Sequence, residues 1–85
     1  MNFTFHTDDG HGWLFVSDEQ LIGLGLNRQS FSAYSYQDGA GVYAEEDCDA
    51  AVVIKAALAA GHAFNFTTNN TSGDSFVRSL GRIAA

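Results

Sequence analysis

Two Asp-Gly pairs, Asp9-Gly10 and Asp38-Gly39, each stand between runs of β-favouring residues. Such a pair supplies the unusual backbone angles of a two-residue turn at little steric cost, so each predicts a β-hairpin. Before the first, "NFTFHT" (2–7) alternates apolar and polar residues; after it, "WLFVS" (13–17) is apolar on both faces. With Asp9 and Gly10 as the turn, Phe5 falls opposite Leu14 and Phe3 opposite Val16 on one face. His6 opposite Trp13 and Thr4 opposite Phe15 share the other. Around the second pair, "FSAYSYQDGAGVYAEE" (31–46) predicts strands with Tyr34 opposite Tyr43 and Ala33 opposite Ala44. One face then carries Tyr34, Tyr36, Tyr43 and Glu45, and the other, the expected core face, carries Phe31, Ala33, Val42 and Ala44.

Two helices punctuate these strands. Ser17 and Gln20 have the spacing of a capping box, and Val16 and Leu21 that of a hydrophobic staple, so a helix is expected over about 18–24, terminated at Gly25. "AAVVIKAALAA" (50–60) is the strongest helical stretch and ends at Gly61. At 100° per residue, Val53, Ile54, Ala57 and Leu58 share its core face, leaving Val52 opposite, as a surface valine or a contact for a second copy or a partner. "HAFNFTT" (62–68) predicts the last strand, and Phe76, Leu80 and Ile83 a short segment covering the sheet edge. The order strand, strand, helix, strand, strand, helix, strand implies one α+β domain over 1–85. Its sheet is largely antiparallel, of about five strands, with the two helices on one face.

Composition excludes several classes. At 85 residues with 46% hydrophobic and 16% charged residues, the chain has a globular balance and room for one small core. A single cysteine excludes an internal disulfide, and without a recognisable leader a cytosolic location is expected. The sequons at Asn2, Asn65, Asn69 and Asn70 then read as chance. No apolar run approaches the roughly 20 residues of a membrane helix. A formal charge of −6 repels nucleic acid, so direct binding of DNA or RNA is disfavoured. "GLGLNR" and "GAGV" lack the flanking strand, helix and lysine of a nucleotide loop and read as turns, so no cofactor is expected.

His6, Asp8, Asp9 and His11 lie close enough in sequence to suggest a metal, but zinc needs three or four convergent ligands. Turn-forming Asp8 and Asp9, a packed His6 and an exposed His11 are the simpler reading. Cys48 at a helix start suggests an activated thiol, yet the surrounding carboxylates oppose the thiolate, favouring a packed structural cysteine. A small metal-binding or thiol enzyme using His6, His11 and Cys48 is the alternative function, and a homodimeric structural domain a further one.

"VYAEEDCDA" (42–50) concentrates Glu45, Glu46, Asp47 and Asp49 in five positions. Asp47 or Asp49 is expected to cap the following helix, but capping uses only one or two acids. In extended chain, alternate residues lie roughly 6.5–7 Å apart on one face, so Glu45 and Asp47 would offer charges at near-phosphate spacing. Asp38, or Asp8 and Asp9, would extend them. The face carrying His6, Trp13, Phe15, Tyr34, Tyr36 and Tyr43 supplies aromatic anchors for a protein contact, unless the tail covers it.

"DGHGWLFV", "YSY", "VYAEEDCDA" and the late "GDSFVR" together resemble a group of small acidic proteins of unassigned activity encoded in bacterial genomes and their phages. The resemblance implies a protein of a mobile element acting in the host cytosol. By analogy of class, anti-CRISPR proteins are similar in size and often in acidity. The expected function is therefore a non-enzymatic inhibitor of a host defence complex. Its acidic surface, with Trp13, Tyr34 and Tyr43, would occupy the basic, nucleic-acid-binding groove of a host protein.

Overall fold

The first hairpin forms in the predicted register. In the computed structural model, which describes residues 1–83, β1 (Asn2–Thr7) and β2 (Gly12–Ser17) pair antiparallel with Phe5 opposite Leu14 and His6 opposite Trp13. Asp8 builds the turn: its N–H donates to the His11 carbonyl, and its Oδ1 accepts from the N–H groups of Gly10 and His11, each at 3.0 Å. The capping box follows as expected. In α1 (Asp18–Gly23) the Ser17 hydroxyl accepts from Gln20 N–H and the Gln20 side chain accepts from Ser17 N–H. Gly25 ends the element with φ +71°, where a side chain would be strained.

The second hairpin is shorter than predicted and shifted by two residues. β3 (Tyr36–Gln37) pairs with β4 (Gly41–Glu45) so that Tyr36, not Tyr34, faces Tyr43. Asp38 causes the shift: its carboxylate accepts from Ala40 and Gly41 N–H, and its own N–H donates to the Gly41 carbonyl, leaving Gly39 and Ala40 at the tip. A slip of two preserves which face each side chain occupies, so Tyr36 and Tyr43 stay together. Ala33 and Ala44 do not pair, because residues 31–35 leave the sheet. Gly41 is required by close approach, since a Cβ there would stand 2.1 Å from the Val16 carbonyl oxygen across the β2–β4 pair.

α2 (Ala50–Ala59) carries the chain back across the sheet and ends before Gly61, at φ +77°. Its buried stripe is Ala50, Val53 and Ala57, so Val53 and Ala57 lie on the core face as predicted; Val52, expected opposite, packs partly against the core, and Leu58, expected in it, is exposed. The contact stripe is thus rotated toward the small alanines, which permit closer approach of helix to sheet. β5 (Asn65–Asn70) starts three residues later than expected, because His62 N–H still donates to the Ala57 carbonyl and closes the helix end. It runs parallel to β1. β4 already runs in that direction, and a crossover helix returns the chain to the same sense.

A short 3-10 turn (Phe76–Ser79) leads into β6 (Gly81–Arg82), a sixth strand that pairs with β3. The sheet is therefore mixed and six-stranded, in the order β5-β1-β2-β4-β3-β6, not the five-stranded arrangement expected. Both helices pack on it: Leu21 of α1 and Val53 of α2 join Phe3, Leu14, Val16, Val42 and Ala44 in one core. On the opposite face Trp13, Tyr36, Tyr43 and Val77 form a second cluster. No helix among the described residues is long and apolar enough to cross a membrane.

Candidate functional site

Most of the acidic candidates are consumed by the fold. Glu45, across the sheet from Trp13, is 8% exposed, and its Oε2 accepts from the N–H groups of Asp47 and Cys48 at 3.0 and 2.8 Å. The carboxylate thus caps the turn between β4 and α2 from inside. Asp49 stands at the N-cap position of α2, yet its side chain makes no capping bond. It is buried and accepts instead from the Ser32 N–H and hydroxyl and from the buried Ser35 hydroxyl, whose Oγ accepts from Glu45 N–H. This network draws residues 32–35 out of the sheet. Neither Glu45 nor Asp49 is a free contact residue.

Asp8 is likewise internal. Arg78 donates to both of its oxygens and Ser75 N–H to one of them. These donors hold its carboxyl well below the usual carboxylate range, the Arg78 guanidinium contributing most. Asp38 accepts from the Tyr43 hydroxyl at 2.8 Å. Burial opposes ionisation of Asp38, but this donor and the turn amides outweigh it and its pKa is lowered. Tyr43 is pushed far upward by burial and by the Asp38 carboxylate.

The aromatic face is covered. Trp13 is 2% and Tyr43 6% exposed, the 3-10 turn having laid Val77 and Arg78 over them, with the Arg78 guanidinium 5.3 Å from the Trp13 ring centre. They are core residues and not contact anchors. Of the expected aromatic contacts, Tyr34 alone is open to solvent. The Trp13 indole Nε1 is buried without an acceptor among the described residues.

The histidines and the cysteine do not assemble. His6 sits between Tyr43 and Phe76, at ring distances of 5.7 and 5.2 Å, and burial lowers its pKa. Cys48 is exposed and not packed as expected, and its thiol is pushed up by desolvation and by the neighbouring Glu45 carboxylate. The group with metal-ligand spacing among the described residues is His11, Glu46 and Asp47, all exposed, with ligand atoms within 4.8 Å of one another.

While the exposed Asp18 and Glu19 of α1 lie at one end of the sheet, the candidate acids that remain exposed, Asp9, Glu46 and Asp47, gather with Asp74 at the other. The turn after β1, the turn after β4 and the loop after β5 all open there, presenting Asp9, Glu46, Asp47 and Asp74 to solvent. Glu46 N–H donates to the Gly12 carbonyl and Gly73 N–H to the Asp9 carboxylate, which tie the three loops together. Among the described residues Glu46, Asp47 and Asp9 form no ion pair with a basic side chain, while Asp74 reaches Arg78 only at 3.8 Å. Beside this end a recess of about 260 Å³ is walled by Tyr34, Cys48 and Arg82.

Sequence reasoning missed Asp74, in the turn-rich loop after β5, and Arg78 and Arg82, in the weakly patterned tail. The available signal was arithmetic: with four basic residues in the chain, any buried carboxylate had to draw its cation from a very short list. Compared with protein-family models, with curated proteins and with solved structures, the chain matches none.

Proposed function

We propose that the protein is a non-enzymatic binding protein that docks the acidic end of its sheet on a basic, nucleic-acid-binding groove of a partner. The anti-CRISPR class of phage-encoded inhibitors is the nearest functional analogue. The observation that carries this reading is the exposure of Asp9, Glu46, Asp47 and Asp74 at one end of the fold. Folding accounts for Asp8, Glu45 and Asp49 through specific donors, but it gives Glu46 and Asp47 no partner among the described residues. Like charges held together in water cost stability by repulsion and speed encounter with a cationic surface. Tyr34, beside them, offers an exposed aromatic contact in place of Trp13 and Tyr43.

Affinity capture from the host with the wild-type chain and with Glu46→Lys/Asp47→Lys, at low and high salt, tests the reading. A nucleic-acid-binding partner retained only by the wild type, released by salt and displaced by its own nucleic acid supports it. A partner retained equally by the charge-reversed chain contradicts it. Glu45 is not a suitable position for reversal, because a lysine there would lose the bonds to Asp47 and Cys48 that shape the turn.

A second reading rests on the grouping of His11, Glu46 and Asp47: the same loops would hold a divalent cation. Elemental analysis and zinc titration against His11→Ala discriminate, since stoichiometric metal lost in the variant favours the cation and its absence favours the docking surface.

A further inference from the structure

We propose that the outer edge of β5 is a self-association site, which pairs antiparallel with β5 of a second copy of this chain across a two-fold axis near Thr68. β5 is the terminal strand at one side of the sheet, and all six of its residues are exposed. Asn65 and Thr71 direct their N–H groups at the carbonyls of Met1 and Thr7. Alternation along the strand therefore turns the N–H and C=O groups of Phe66, Thr68 and Asn70 toward the open edge. An antiparallel copy centred on Thr68 sets Phe66 against Asn70 of the second copy, so each of these outward groups finds its complement.

The two edges of the sheet differ in the way that distinguishes an open edge from a protected one. β6 has two residues, one of them Arg82, and is a poor template for further pairing. β5 has six residues, "NFTTNN", without a charge or a proline, and lacks both common edge defences. Beside it lies an apolar groove of about 320 Å³, lined by Phe5, Leu14, Ile54 and Phe66 among others, with Phe66 48% exposed. A paired strand would cover that side chain.

Between two copies, charge selects the antiparallel sense. Each chain carries −6, so copies repel unless they meet through a neutral surface, and β5 has no ionisable side chain. Four exposed acids, Asp9, Glu46, Asp47 and Asp74, lie at the C-terminal end of β5, whereas the exposed acids of the opposite end are Glu19 and Asp18, the latter paired with Arg28. Antiparallel pairing sends the two acidic ends to opposite poles of the dimer, whereas parallel pairing would set them side by side.

Sedimentation velocity of the full chain from roughly 5 to 500 μM, the range in which a small interface dissociates, reads the association directly. The expected result is a reversible dimer of twice the 9.1 kDa protomer, held or strengthened as salt screens the repulsion. That is the opposite of the salt response expected at the acidic end, so the two interfaces are separable. Thr68→Pro removes an outward N–H without touching the bonds to β1, and Thr68→Lys sets two lysines face to face on the axis. Each is expected to raise the dimer Kd by roughly tenfold or more with helix and strand signals unchanged. A wild-type chain that stays monomeric over the whole range overturns the proposal and leaves the edge to a strand from another protein. A dimer that either folded variant preserves also overturns it.

Discussion

Arg78 meets Asp8 across 70 positions of sequence, its Nη2 donating to Oδ1 at 2.9 Å and its Nε to Oδ2, while its guanidinium lies over the Trp13 ring. The contact joins the first turn of the chain to the last, and it holds the 3-10 turn on the aromatic face. Arg78→Ala leaves the Asp8 carboxylate buried with its main counter-charge gone, and uncovers the only tryptophan. The expected outcome is a melting temperature lower by more than about 5 °C and a red shift of Trp13 emission. Arg82→Ala, in the same tail but without a carboxylate partner among the described residues, is expected to change both far less.

Stability should fall in acid by a mechanism assignable to the same carboxylate. The pKa of Asp8 is depressed in the folded state, so its contribution is complete above the ordinary carboxylate value of about 4. As pH falls below that value the unfolded chain takes up the proton first, and the contribution is progressively lost toward the folded pKa. Denaturant melts from pH 6 down to pH 2 are expected to lose less stability in Asp8→Asn than in the wild type, from a lower starting point.

Gly41→Ala is the most damaging single-methyl change expected in the sheet. Its Cβ would meet the Val16 carbonyl oxygen and Ser17 Cα, both backbone atoms of a central strand that cannot swing aside. A loss of about 3 kcal/mol, or failure to fold, is expected by urea denaturation. Gly39→Ala, where nothing lies within 4 Å, is the matched control and should be nearly silent.

Cys48 is accessible but electrostatically disfavoured as a nucleophile. Desolvation and the carboxylates of Glu45, Asp49 and Asp47 raise its pKa, which lowers the thiolate fraction at neutral pH. Iodoacetamide labelling of the native chain should therefore be slower at pH 7 than for a free thiol and should accelerate with pH up to a higher midpoint. Cys48→Ser is expected to leave folding unchanged.

The parts legible in the sequence were those governed by neighbours in the chain. The Asp9-Gly10 turn, the Ser17–Gln20 capping box and the glycine stops at Gly25 and Gly61 rest on local hydrogen bonds and backbone angles, and they stand where the residue pattern puts them. The register at Asp38 failed because the aspartate side chain, and not the Asp-Gly pair, chose which residues close the turn. Asp49 was misread because its donors, Ser32 and Ser35, stand 17 and 14 positions away, and a carboxylate's fate is decided by where its donors come from in three dimensions. Glu45 was misread for a local reason: the chain turns directly after it, so its carboxylate accepts from the N–H groups of Asp47 and Cys48 and does not point outward from an extended strand. The coverage of Trp13 and Tyr43 depended on Val77 and Arg78; a covering tail was one of the two alternatives the sequence left open, but its weak periodicity did not show which residues would dock or on which part of the sheet.

The charge surplus at the acidic end is the centre of the functional reading, and partner capture under charge reversal tests it most directly. Quantitative recovery of host proteins on the wild-type chain should yield a basic, nucleic-acid-binding partner that is lost by at least about tenfold with Glu46→Lys/Asp47→Lys and eluted by salt. Equal recovery of that partner by the reversed chain, or retention that is indifferent to salt, would contradict the account.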